Sequence, residues 1–182
     1  MLSSSNHYKN HSPHSNQLTM NTILLTIATV FAGLMAGLFY TWSISVTNGL
    51  AQVNDHNYLN AFQAMNRAIL NPAFFIAFFG QAILLPILTH QYYHASSPST
   101  FRLVLIAMLL YWLGCMAVTM FGNVPLNNTL EVLQVELMTP HKRLDFRLGF
   151  EQKWNRLNWI RTISTLFSLI CLIIACVQHA SK

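Results

Sequence analysis

Residues 22–47 read TILLTIATVFAGLMAGLFYTWSISVT, and this stretch decides the fold. It contains no charged residue and is longer than the ~20 residues that cross the hydrocarbon core of a bilayer as a helix. It is too long for the apolar core of a signal peptide, and no small-residue cleavage site follows it. Three further stretches share this character. No charge occurs between Arg67 and Arg102, between Arg102 and Glu131, or between Arg161 and Lys182, and within these windows apolar runs lie near 72–90, 102–122 and 159–178. Four spans place both chain ends on one side of the membrane. The predicted fold is all-α: a left-handed four-helix transmembrane bundle, up-down-up-down, with amphipathic helices in the loops on one side.

Composition agrees. Of 182 residues 53% are hydrophobic and 8% charged, against about 25% charged in a soluble domain. The mean hydropathy is +0.40. The formal charge of +5 would suggest nucleic acid in a soluble protein. Here the basic residues flank apolar segments, where they set topology, so no nucleic-acid partner is expected. Cys115, Cys171 and Cys176 sit singly inside apolar runs and read as packing. Residues 1–20 are polar and rich in Ser, Asn and His, so a disordered tail is expected there, with His7, His11 and His14 solvated, and one membrane domain over 21–180.

The two sides of the membrane differ. The tail, the turn His90–Thr100 and the C-terminus form a plain side; 48–71 and 123–158 form a loop side. Leu59, Phe62, Met65 and Ile69 recur at helical spacing, predicting an amphipathic helix that lies on the membrane or caps the bundle. Asn71-Pro72 supplies a cap and first-turn proline for the second span. Pro125 in Gly122-Asn123-Val124-Pro125-Leu126-Asn127 predicts that the third helix stops near Asn123. Asn127 would then cap an amphipathic stretch with Leu130, Leu133 and Leu137 that ends at Thr139-Pro140, and a last long helix would run from Asp145.

The polar residues follow helical faces. Gly33, Gly37, Thr41, Ser45 and Asn48 form one stripe on the first span, Ala73, Ala77 and Gln81 one on the second, Tyr111, Cys115 and Thr119 one on the third, and Asn158, Arg161, Thr165 and Ser168 one on the fourth. An unpaired polar group in hydrocarbon costs several kcal/mol, so the stripes should converge on one interior. Arg161, just inside a span, either snorkels to the headgroups or is the fixed charge of a pocket. Asn123 and Asn127 serve as helix caps, line the same site, or both.

In these residues the chain resembles the anthrone oxygenase-like family of four-helix membrane proteins. The resemblance rests on Gly33 to Gly37, Met65-Asn66-Arg67 with Asn71-Pro72, Asn123-Val124-Pro125-Leu126-Asn127, and Trp154…Asn158…Arg161-Thr162, over about residues 20–178. It implies, from some fungal members, oxidation of anthrones to anthraquinones by dioxygen with neither metal nor flavin. The sequence departs from the pattern at Leu157 and Trp159, where relatives carry Trp and His, so a histidine base is missing there.

The expected site follows from that chemistry. Arg161 and Asn158 are the catalytic candidates, with Arg161 holding an oxyanion. Asn66, Asn123, Asn127 and Trp154 bind substrate, with Trp42 and Phe62 as further aromatic walls. Asp55, His56 and Glu131 are the candidate bases. No cofactor and no metal are expected; His90 and His94, four apart, have a metal-sharing spacing but read better as interface anchors beside Tyr92 and Tyr93. The partners are the bilayer of the cell membrane, crossed several times, and a lipophilic aromatic or lipid-like small molecule, and a homo-oligomer is admitted. The alternative function is a non-catalytic membrane protein that binds or transports a lipid or hydrophobic small molecule.

Seven basic residues (Arg67, Lys142, Arg143, Arg147, Lys153, Arg156, Arg161) lie on the loop side and three (Lys9, Arg102, Lys182) on the plain side. Positive charge is retained in the cytoplasm, so the loop side faces it. A reporter that works only in the cytoplasm should therefore be silent when fused after Lys182; activity there would reverse the orientation.

Overall fold

In the computed structural model residues 13–95 and 97–181 are described, with side chains from residue 19 onward. Of the tail expected over 1–20, residues 1–12 lie outside the described residues, as do the side chains of His7, His11 and His14; from Pro13 the backbone is helical. Helix α1 (Pro13–Thr41) passes without a break through π-helical Trp42–Val46 into α2 (Thr47–Leu50). The loop-side helix α3 (Asp55–Ile69) starts where the Asn54 side chain accepts from the Asn57 amide. In α4 (Pro72–His94) Asn71 accepts from Phe74 N at 3.0 Å and Pro72 opens the first turn, as expected.

The third span departs from expectation. Helix α5 (Pro98–Tyr111) runs through two π-helical stretches, Trp112–Ala117 and Thr119–Asn123, straight into α6 (Val124–Glu131). Pro125 does not end the helix. The turn before it is wide, with Val124 N–H donating to Thr119 O five residues back, and this π geometry accommodates the proline ring and its missing N–H. Asn127 is therefore inside a helix rather than capping one. After a 3-10 turn at Val135–Leu137, Thr139-Pro140 begins the final helix instead of closing the preceding one: α7 (Pro140–Ala180) has Thr139 accepting from Lys142 N. At 1.5 Å per residue the 41 residues of α7 make a rod about 60 Å long, roughly twice the ~30 Å hydrocarbon thickness. Its N-terminal part thus stands beyond the apolar span on the loop side.

The four long apolar helices, Thr19–Leu50, Pro72–His94, Pro98–Glu131 and Pro140–Ala180, are each long enough to cross a membrane. They pack in a ring, α1 against α4 and α7, and α5 against α4 and α7. Among the described residues there is no strand. Leu25, Met35, Leu85, Leu88, Val104 and Leu172 fill the bundle toward the plain side. A second cluster on the loop side joins Tyr58, Leu59 and Phe62 of α3 to Leu130, Val135, Phe150 and Trp154, so α3 caps the bundle. Arg147 locks this cap: its guanidinium donates to Ala51 O, Val53 O, Asp55 Oδ1 (2.9 Å) and Glu151 Oε2 (3.0 Å) and lies 4.4 Å from the Tyr58 ring centroid.

The stripes of the fourth and third spans face inward. That of the first span does not. Gly37, Thr41, Ser45 and Asn48 are exposed, and the buried face of α1 carries Ala28, Ala32, Met35, Ala36, Phe39, Ser43 and Thr47. Polar side chains on a helix can return their hydrogens to the preceding turn, as Asn48 does to Ile44 O at 2.9 Å and Thr26 to Thr22 O at 2.8 Å, so they need no interior partner. The alanines supply the close approach assigned to Gly33 and Gly37, next to which a Cβ would meet nothing within 4 Å. On the second span Ala77 and Gln81 are buried but Ala73 is exposed.

Glycines that do mediate close packing are Gly80 against Phe31, Gly122 against Leu157 and, tightest, Gly114, whose added Cβ would run into the Ser164 side chain of α7. Gly114→Ala should lower stability by about 1–3 kcal/mol, seen as a lower thermal unfolding midpoint in detergent. Ser164→Gly in the same chain should restore most of it, whereas Gly37→Ala should cost nothing.

Candidate functional site

The site is built on the inward face of α7. Asn158 is 1% exposed. Its amide Nδ2 donates to Ser43 Oγ at 2.8 Å and to Phe39 O at 3.2 Å, both on the first span. One turn on, Thr162 Oγ1 donates to Asn158 O at 2.9 Å and lies 2.8 Å from Ser43 Oγ. A hydroxyl has one hydrogen, so Ser43 must donate to Thr162, which closes a ring of three side chains between the two helices. The remaining atom of the amide, Oδ1, accepts from Arg161 Nη2 at 2.7 Å.

Arg161 is 7% exposed, so it does not snorkel. Its guanidinium carbon lies 4.5 Å from the Phe39 ring centroid and 5.2 Å from that of Trp154. Among the described residues no carboxylate comes within ion-pairing distance of it. Its Nε has no partner on the protein. Trp154 is fixed from behind, its indole N–H donating to Asn127 Oδ1 at 2.9 Å and its ring 5.1 Å from Trp42 and 4.9 Å from Phe62.

These groups enclose a cavity of about 90 Å³, and Asn66, Asn123, Asn127, Trp154, Asn158 and Arg161 all line it. Leu38, Phe39, Trp42, Phe74 and Thr119 complete most of the wall, and Ile69 and Leu70 stand where α3 turns into α4. A second groove of about 280 Å³ shares Asn66, Ile69, Leu70, Val124 and Asn127 with the first and carries Arg67, Asn128 and Glu131 at its outer rim. Five polar atoms on the cavity residues are buried with no protein partner: Asn66 Nδ2, Thr119 Oγ1, both amide atoms of Asn123, and Arg161 Nε. Each such atom costs ~1–3 kcal/mol when left unmet, and these five lie on residues of one cavity.

The candidate bases are elsewhere. Asp55 is bonded to Arg147, and Glu131 pairs with Arg67 at 2.7 Å on the outer groove. His56 Nε2 lies 2.8 Å from Glu136 Oε1, and the hydrogen bond to that carboxylate raises the histidine above its ordinary value of 6.5. None of the three lines the cavity. Phe62 backs Trp42 and Trp154 instead of facing the cavity. His90 and His94 contact each other edge to face near the end of α4, and among the described residues no cluster of three His, Cys, Asp or Glu can hold a metal. Ser43 and Phe39 lie off the Gly/Ser/Thr stripe of the first span; the sequence signal for their face is the Ala28, Ala32, Ala36 run in phase with them.

The family model described as anthrone oxygenase matches residues 58–171, which takes in most of α3 and every residue of the cavity apart from those of the first span. No match to the chain was found among curated proteins or solved structures.

The geometry separates two asparagines. Asn158→Ala strips a buried guanidinium of its acceptor and opens the Ser43–Thr162 ring, and should lower stability by about 2–4 kcal/mol. Asn123→Ala removes an amide with no protein partner and should cost under ~1 kcal/mol or stabilise. Thermal unfolding of both variants in detergent checks the contrast; equal losses would mean that Asn123 is bonded within the protein.

Proposed function

The chain belongs to the anthrone oxygenase family, and from that premise we propose that this membrane protein is a cofactor-independent oxygenase of the cell membrane, acting on an anthrone-like lipophilic aromatic in the loop-side cavity. The observation that carries the reading is a buried, acid-free Arg161 facing a cavity walled by Phe39, Trp42, Phe74 and Trp154.

In the proposed reaction the substrate's activated CH2 loses a proton and becomes an enolate. Arg161 stabilises its oxygen, helped by the amide of Asn123, and Asn158 holds the guanidinium in place. Aromatic walls orient the flat ring and exclude water from the electron-rich carbon. Dioxygen takes up the carbanion's electrons and forms a C–O bond; the peroxide anion regains from solvent the proton lost in the first step, and the hydroperoxide loses water and leaves a ketone. One dioxygen is consumed, one of its oxygens ends in the ketone, and the other leaves as water. Asn66 and Asn127 stand where the cavity meets the outer groove and would contact the part of the ligand left outside. The enclosed part, about 90 Å³, is smaller than the ~150 Å³ that takes one benzene, so one ring edge enters while the remainder lies in the groove. That small volume also favours a second reading, in which the cavity holds the polar end of a lipid or hydrophobic metabolite without transforming it.

Dioxygen uptake with anthrone as substrate, corrected for autoxidation, tests the proposal. Arg161→Ala should reduce turnover about 10²-fold or more, as loss of an oxyanion donor does. Arg161→Lys should recover only part, since the planar fork is gone. Equal rates in the wild-type protein and Arg161→Ala, with both correctly inserted, would remove the catalytic reading.

A further inference from the structure

The cavity contains one charge and no group that titrates near neutral pH. Its fourteen lining residues include Arg161 but no Asp, Glu, His, Lys, Tyr or Cys. The nearest acids are already engaged: Glu131 with Arg67, and Asp55 and Glu151 with Arg147. Arg161 thus differs from those two arginines, each of which has a carboxylate partner. It keeps a single hydrogen bond to the neutral oxygen of Asn158, with its Nε unpartnered. Beside it, Asn123 is 1% exposed and both atoms of its amide are unpartnered.

A buried cation without a counter-ion selects for an anion. Donors without acceptors beside it select for an oxygen that accepts several hydrogen bonds. Aromatic side chains on the remaining wall select for a flat ring. We infer that the ligand binds as an aryl oxyanion, the phenolate or enolate of an acidic hydroxy-aromatic, whose oxygen lies against Arg161 and Asn123 and whose proton passes to bulk water and not to a side chain. The ligand's own acidity, enhanced by Arg161, replaces the missing protein base. For each neutral ligand bound, one O–H or C–H proton is released to the buffer, and the protein takes up none. This inference rests on the reading of the cavity as an aromatic site, and it adds the class of ligand admitted: acidic hydroxy-aromatics over their neutral ethers.

Alizarin, a dihydroxyanthraquinone whose colour reports its ionisation, and its di-O-methyl ether, which has no hydroxyl left to ionise, test this with the full-length protein in detergent. Saturable quenching of tryptophan fluorescence measures binding, and the visible spectrum measures the charge state. Bound alizarin should ionise at least about one pH unit lower than in empty micelles, a tenfold preference for the anion, and calorimetry in buffers of different ionisation heat should find a proton released on binding. In Arg161→Gln the shift should vanish, and the preference for alizarin over the ether should fall about tenfold, the fold-change that one pH unit represents. The wild-type measurement stands alone if that variant does not fold. If alizarin binds saturably but ionises as it does in micelles, the anion inference is overturned and the aromatic site survives. If neither alizarin nor its ether binds saturably, the aromatic site falls and the inference with it.

Discussion

Asn158 is the residue on which the loop-side half of the bundle depends. Its amide is used at both ends, giving two hydrogens to the first span and taking one from Arg161. In hydrocarbon the alternative to each bond is an unsatisfied group, so this one side chain fixes the rotation of α7 against α1 and the position of the guanidinium together. Ser43 and Thr162 close the ring around it and leave few other registers between the two helices. A buried polar network of this kind stabilises only when all its members are satisfied, and here those between the helices are. Satisfaction ends where the network meets the cavity, at Arg161 Nε and Asn123.

The second determinant is the irregular third span. A regular α-helix from Pro98 to Glu131 would meet a proline at 125, where a carbonyl clash and a lost hydrogen bond would kink it. Two π-helical stretches precede the proline instead. Each wide turn rotates the residues after it relative to a regular helix, and Thr119 and Asn123 come to face the interior with unpartnered polar atoms. Helices that widen near a functional site are a recurring association. Here the cause is local, the need to accommodate Pro125, and the consequence is the cavity wall.

Much of this was legible in residue order. Charge-free windows of membrane-spanning length gave the four spans, and the spacing of Asn158, Arg161, Thr165 and Ser168 gave the buried face of α7, because a strongly polar residue in a span has few places to go. The convergence of Asn66, Asn123, Asn127, Trp154, Asn158 and Arg161 on one cavity was likewise readable. The inward face of the first span was not. Glycine, serine and threonine satisfy themselves against their own helix, so a stripe of them carries no information about which way it points. The continuation through Pro125 was hidden for a related reason: proline breaks a regular helix, but nothing in the local sequence tells a break from a π turn. That Asp55, His56 and Glu131 stay off the cavity is visible only in three dimensions, since they are close to the spans in sequence and are engaged by Arg147, Glu136 and Arg67.

Apolar filling and the cavity are divided along the bundle axis. Toward the plain side the bundle is filled by Leu25, Leu85, Leu88, Val104 and Leu172, all essentially inaccessible, with the Tyr92 hydroxyl and the Gln91 and Gln178 amide oxygens buried and unpartnered near that end. Toward the loop side the helices spread around polar atoms that the protein leaves unsatisfied, and the cap of α3 closes over them through Arg147 and the aromatic cluster of Tyr58, Phe62, Phe150 and Trp154. The cap is held by ion pairs and ring contacts, while the apolar half of the bundle supplies the cohesion. The same division explains why the charged residues of the cap are paired with one another: an acid free to reach Arg161 would neutralise the cation that gives the cavity its chemical character.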